Sequence, residues 1–243
     1  MKSQLYLGLL LFIGITSCQS SKINSEYSGQ ELEKIKSFQS LIPKKDSLYH
    51  ILIATSKGDM MVKLYNQTPL HRDNFVAKVK SNYYDSLEFH RVINDFMIQG
   101  GRPNPTENEE PNPFSGELIP AEFRTEQGIY HRRGALAAAR NNNPEKASSS
   151  TQFYIVHRKP YSESDLEEHI KERNLTINEA QKTLYTTVGG TPHLDGGYTV
   201  FGELEIGYEV LDKIATTETG ERDEPINPIR MKMYLLNEPK KLK

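Results

Sequence analysis

Short apolar runs broken by polar turns fill the chain from Ser47 to Leu236, and their length sets the expected architecture. Tyr49-His50-Ile51-Leu52-Ile53-Ala54 predicts a strand, Ser56-Lys57-Gly58-Asp59 a turn, and Met60 to Tyr65 the returning strand. Thr68-Pro69 opens a helix, because Thr caps and Pro suits the first helical position. Phe75, Val76 and Val79 give that helix an apolar face. Further strands are expected at 88–93, 97–99, 134–138, 152–157, 199–202 and 229–236, with a second helix at 208–215. Many short strands and few core helices predict a mainly β fold, a closed antiparallel barrel with two capping helices.

Two segments interrupt this pattern. Residues 102–116 are rich in Pro, Asn and Glu and read as a loop. Residues 159–187 form an insertion whose charged part reads as two helices joined near Asn174. Ser162 to Asp165 and Thr176 to Glu179 match capping boxes, and Leu166 with Ile170 and Ala180 with Leu184 supply apolar stripes. Two readings of the insertion stay open: it docks a partner or shapes one end of a groove, or it is a tolerated surface addition.

The N-terminus carries a different pattern. Lys2 precedes an apolar run from Leu5 to Ile15, and Ile15-Thr16-Ser17-Cys18 follows. This resembles the lipobox of bacterial lipoproteins. The resemblance implies a signal peptide at 1–17, lipid on Cys18 and a place in the cell envelope. Gln19 after the Cys favours the outer membrane, facing the periplasm. An ordinary signal peptide or anchor with an incidental Cys18 is the alternative. Residues 18–46 are polar and read as a tether, with a helical turn or two at 31–38, where Leu32, Ile35 and Phe38 fall at helical spacing. Such a tether reaches about 30 Å. The folded domain is then expected at 47–238, with a basic tail at 239–243.

Composition narrows the chemistry. A net charge of −2 favours no nucleic-acid partner. One cysteine permits neither an internal disulfide nor a Cys-based zinc site. The histidines form no His-x-x-x-His or His-Glu-x-x-His unit, so no metal site and no cofactor are expected. The stretch Phe89-His90-Arg91-Val92-Ile93-Asn94-Asp95-Phe96-Met97-Ile98-Gln99-Gly100-Gly101 gathers one Arg, one Gln and several apolar side chains before a Gly pair. If the chain does chemistry, it does it there.

That stretch resembles the signature of the cyclophilins, the cyclosporin-class peptidyl-prolyl isomerases. The resemblance continues in family order through Gly134 to Arg140, Ser150 to Ile155 and Leu194 to Gly202, and so spans nearly all of the domain. It implies a cyclophilin-like barrel that rotates Xaa-Pro bonds in proline-containing polypeptides, as a monomer. The barrier to that rotation comes from amide resonance, and the uncatalysed change takes tens to hundreds of seconds. No bond breaks, so neither nucleophile nor metal is needed. A donor aimed at the twisted prolyl nitrogen stabilises the transition state more than either planar state.

Arg91 suits the donor role, being always charged and multiply N–H bearing. The resemblance makes Gln99 its orienting partner. It also makes Phe96, Met97, Phe153, Tyr154 and Leu194 the proline pocket, and makes Ala139 and Arg140 the segment whose main chain holds the residue before proline. Arg140 stands where members often carry Asn, which bears on substrate preference. His193 stands where animal members carry a pocket-rim Trp that contacts cyclosporin, and this chain has no Trp. Weak inhibition by cyclosporin is therefore expected, and nanomolar inhibition would contradict it. Tyr198 stands where those members have a pocket His. A binding module or chaperone using the same groove without turnover, and an envelope scaffold acting through the insertion, are the rival readings.

Overall fold

The computed structural model describes residues 27–103 and 118–239. Cys18, the signal segment, most of the 102–116 loop and the basic tail after Pro239 lie outside them. Eight antiparallel strands form one curled sheet: β1 Tyr49–Thr55, β2 Gly58–Leu64, β3 Phe89–Ile93, β4 Met97–Gly100, β5 Ala135–Ala138, β6 Phe153–Val156, β7 Val200–Ile206 and β8 Met231–Leu235. Their order is β3-β4-β6-β5-β7-β2-β1-β8. The end strands do not share a ladder. They meet at a single bridge, Glu88 with Arg230, flanked by the Phe89 N–H to Ile229 O bond and the Met231 N–H to Leu87 O bond. The expected closed barrel is thus found as a curled sheet with a thin seam. Pro225 and Pro228, just before β8, have no N–H to extend a ladder there.

The alternation of each strand fills the interior. Ile51 and Ile53 of β1, Ile98 of β4, Leu136 of β5 and Phe153 and Ile155 of β6 are buried in one core. Two helices seal it. α2, Pro69–Lys80, buries Phe75, Val76 and Val79, and α5, Tyr208–Ala215, buries Val210, Leu211 and Ile214. Numbering follows chain order, with α1 at Gly29–Gln39 and the insertion helices α3 at Glu163–Glu172 and α4 at Glu179–Thr187. The start of α2 is not capped by the Thr68 side chain. The Glu122 carboxylate accepts the N–H groups of Leu70 at 3.2 Å and His71 at 3.0 Å instead, and a negative group suits a helix N-terminus. In α4 the cap is Asn178, paired with Gln181, two residues later than the match at Thr176.

The described part of the polar tether is not a free chain. α1 docks on the outer face of β1, β2 and β8, where Ile35 is buried with Leu52, Met61 and Tyr234. Glu31 accepts from Lys232 at 2.7 Å and from the Tyr234 hydroxyl at 2.6 Å. These bonds hold its carboxyl well below the usual carboxylate range. The cause lies in β1. Its run Ile51-Leu52-Ile53 has no polar alternation, so both faces need cover, and α1 supplies the second layer. The packed domain therefore includes α1, N-terminal of Ser47.

Candidate active site

Strand alternation builds the site on the outer face of the sheet. β4 turns Ile98 inward and Met97 and Gln99 outward. Register sets Gln99 opposite Arg91 of β3 on one side and opposite Tyr154 of β6 on the other. Arg91, Gln99 and Tyr154 therefore share one face. The turn before β4 adds Phe96, the segment after β5 adds Ala139 and Arg140, and the loop before β7 adds Leu194 and Tyr198. Together with Met97 these residues line an open pocket of about 140 Å³. Phe96, Met97, Leu194 and the two tyrosine rings form its apolar walls, and Arg91, Gln99 and Arg140 its polar ones.

The Gly pair that ends the signature has a local reason. Gly101 has φ +84°, and a Cβ there would collide with the Thr151 carbonyl. That close approach lets β4 pass tightly over the segment leading into β6.

Arg91 lies at the pocket with its side chain 43% exposed, and its Nε donates to Asp223 Oδ2 at 3.2 Å. Arg91 is thus paired with Asp223 in the described structure. Gln99 donates its Nε2 to Gln152 Oε1 at 3.0 Å. Nothing in the sequence signals Asp223: it sits in the run Glu221-Arg222-Asp223-Glu224, which reads as a solvated loop. Its main chain explains its reach, since the Asp223 carbonyl accepts Val92 N–H at 2.8 Å and so clips the loop onto β3.

Phe153 does not face the pocket. It is 1% exposed and packs edge-on against Phe75 and Tyr84 in the interior. Phe153 and Tyr154 are adjacent on one strand, so only one of them reaches the outer face. His193 lies behind the rim rather than on it: its ring stacks on Phe96 with centroids 5.9 Å apart. The main chain at 139–140 also divides its roles. Ala139 N–H donates to Gln152 O and its carbonyl accepts from Ser149 N–H. The N–H and C=O of Arg140 have no partner among the described residues and stay available to a ligand.

The Arg140 side chain caps Tyr198. Its Cζ is 4.6 Å from the ring centroid, and its Nε donates to Gly197 O at 2.8 Å. Tyr154 stacks on His131 and meets Tyr198 edge-on, with centroids 6.1 and 6.0 Å apart. Burial pushes the Tyr154 hydroxyl well above the usual phenol range, so it stays protonated.

Burial also lowers two imidazoles near the site. His90 is held down to about 4 by burial and the Arg102 charge, and His193 to about 4 by burial and Arg173. Both are neutral at neutral pH. The unfolded chain binds more protons than the folded one between the ordinary value of 6.5 and about 4. Stability is therefore expected to fall as pH drops through that window and to level off below it for these groups. Thermal midpoints from pH 7 to pH 4 check this, and His193→Gln should flatten part of the slope; a flat wild-type profile contradicts it.

Relatives agree with the geometry. The family described as "Cyclophilin type peptidyl-prolyl cis-trans isomerase/CLD" matches residues 50–234. A Staphylococcus haemolyticus protein named as a peptidyl-prolyl cis-trans isomerase is 37% identical over 186 residues, covering 76% of this chain and 89% of its own. A Staphylococcus saprophyticus protein of the same name is 35% identical over 213 residues, covering 86% of this chain and 93% of its own. A Cryptosporidium parvum cyclophilin-type peptidyl-prolyl cis-trans isomerase superimposes with a TM-score of 0.58 at 26% identity, over 79% of this chain and 99% of that one. Its crystal structure in the presence of the dipeptide Ala-Pro gives 0.56 at 26% identity, over 76% and 98%. A curled antiparallel sheet with an Arg-bearing pocket on its outer face, in this company, defines an isomerase of Xaa-Pro peptide bonds. The chain belongs to the cyclophilin-type peptidyl-prolyl cis-trans isomerases.

Proposed function

We propose that the pocket binds the proline of a polypeptide and that Arg91 assists rotation of the preceding amide. One observation carries this reading: a half-exposed guanidinium, held by Asp223, lines the same pocket as the apolar side chains of Phe96, Met97 and Leu194 and the rings of Tyr154 and Tyr198. As the prolyl nitrogen leaves the amide plane it gains lone-pair density, and a fixed cationic donor stabilises that state selectively. The apolar walls favour a twisted amide, which is less charge-separated than a planar one. The free N–H and C=O of Arg140 hold the residue before proline in register. The Cryptosporidium relative crystallised with Ala-Pro supports a proline dipeptide as the minimal ligand. Two-dimensional exchange spectroscopy on an Ala-Pro peptide, with the chain from Gln19 onward, tests the reading. Exchange cross-peaks above the uncatalysed level are expected; binding without exchange would leave a proline-peptide binding module.

Arg140 makes the substrate preference specific. Its cation and that of Lys146, which donates to Gly196 O at 3.1 Å, are held by loop carbonyls, with no carboxylate partner among the described residues. Peptides with Glu beside the Xaa-Pro unit should turn over a few-fold faster than those with Lys, and Arg140→Ala should erase the difference. Equal turnover in the wild type removes the idea.

We place the enzyme in the cell envelope, lipid-anchored through Cys18 and working as a monomer on exported proteins whose slow folding step is proline isomerisation. The lipobox-like sequence supports this location. Metabolic labelling with a radioactive fatty acid tests it: label in the wild type and none in Cys18→Ser is the expected result.

A further inference from the structure

The insertion reaches the pocket wall through buried polar bonds. Asp195 sits in the loop that carries Leu194 and Tyr198, with its side chain 8% exposed. Its Oδ1 accepts His131 N–H at 2.9 Å and lies 2.9 Å from His131 Nδ1. Its Oδ2 accepts the Tyr185 hydroxyl at 2.6 Å and Gln181 Nε2 at 2.9 Å, both from α4. One carboxylate thus joins the insertion to the sheet, and His131 on the sheet side stacks on Tyr154 of the pocket. α3 makes a second link. His169 Nε2 lies 3.2 Å from His193 Nδ1, and His193 stacks on Phe96.

Each link is chemically sound. Tyr185 is fully buried, and burial with the Asp195 charge keeps its hydroxyl protonated far above the usual phenol range, so it stays a donor. Burial holds both His169 and His193 below their ordinary range, so one neutral ring donates and the other accepts. A carboxylate bound by several donors from two sides has little freedom. The loop it anchors carries Leu194 and Tyr198, which line the pocket together with Arg91. A surface addition without a role at the site would not account for buried Tyr185 and Gln181 converging on a pocket loop.

We propose that the helical insertion is a working part of the isomerase site, with Tyr185, Gln181 and His169 as positioning residues that hold the pocket wall in its binding shape before substrate arrives. The inference rests on the reading of this pocket as the proline site. A wall held in advance needs less ordering when the peptide binds.

The test uses the chain from Gln19 onward and an Ala-Pro peptide, well below the thermal midpoint. Tyr185→Phe keeps the ring and removes only the hydroxyl; His169→Ala provides a second variant at a less buried position. In Tyr185→Phe, kcat/KM should fall about tenfold, carried mainly by KM, as small displacements at a site cost that much or more. His169→Ala should show a smaller loss of the same kind. The ring signals of Tyr154 and Tyr198 in NMR spectra should shift in Tyr185→Phe. If the midpoint falls while kcat and KM stay within twofold in both variants, the bonds only support the insertion and the inference fails. Unchanged ring signals also overturn it. Failure of the underlying reading looks different: wild-type protein without exchange, or full exchange in Arg91→Ala.

Discussion

Replacing Arg91 by Ala is expected to slow Ala-Pro exchange by about a hundred- to a thousandfold, the range seen when one preorganised donor to a developing charge is removed. The apolar walls, from Phe96, Met97, Leu194 and the two tyrosines, remain without Arg91, so peptide binding should survive. The guanidinium is 43% exposed and paired with an equally exposed Asp223, so folding should barely change. Arg91→Lys should recover little, because an ammonium on a flexible stem cannot hold both Asp223 and the prolyl nitrogen as the planar fork does. Asp223→Asn should cost less than Arg91→Ala, since it loosens the donor without removing it. Exchange spectroscopy gives the rate and peptide line-broadening the binding. Full exchange in Arg91→Ala would move the chemistry elsewhere and leave the pocket as a binding site only.

The second large effect separates two adjacent aromatic residues. Phe153→Ala should destabilise the fold by about 3–5 kcal/mol, the usual cost of emptying a fully packed aromatic site. Its ring is 1% exposed among Phe75, Tyr84 and Phe89, so little relaxation can fill the space. Tyr154→Ala, one residue on, should lose packing as well but also raise KM for the peptide, because its ring is a wall of the pocket between His131 and Tyr198. Denaturant melts and peptide kinetics on both variants check the pair. An unchanged KM in Tyr154→Ala, and a stable Phe153→Ala with raised KM, would reverse the assignment of inner and outer faces.

Much of this was legible along the chain because it is local. The α5 boundaries at 208–215, the hairpin of β1 and β2 and the two insertion helices follow from apolar period, turn residues and caps within a few positions. The helix α1 is longer than the turn or two that its own residues predict, for the same reason. Alone, residues 29–39 are polar and short, and only the uncovered Leu52 and Met61 of the sheet make docking favourable. The run Ile51-Leu52-Ile53 carried that message, since a strand with no polar alternation is covered on both faces. Phe153 could have been placed by alternation, given the register that sets Tyr154 against Gln99 and Ala137.

The sequence by itself determined the family, the mainly β class and the residue types at the pocket, since these are written in contiguous motifs whose spacing survives without coordinates. Tertiary structure alone decided how those residues act together. Asp223 holds Arg91 from 132 positions away in the chain. Asp195 joins His131 to Tyr185 and Gln181 across separate elements. Such partners are set by where loops close on a curled sheet, and a charged residue in a polar loop reads the same in sequence whether it faces water or fixes an active site.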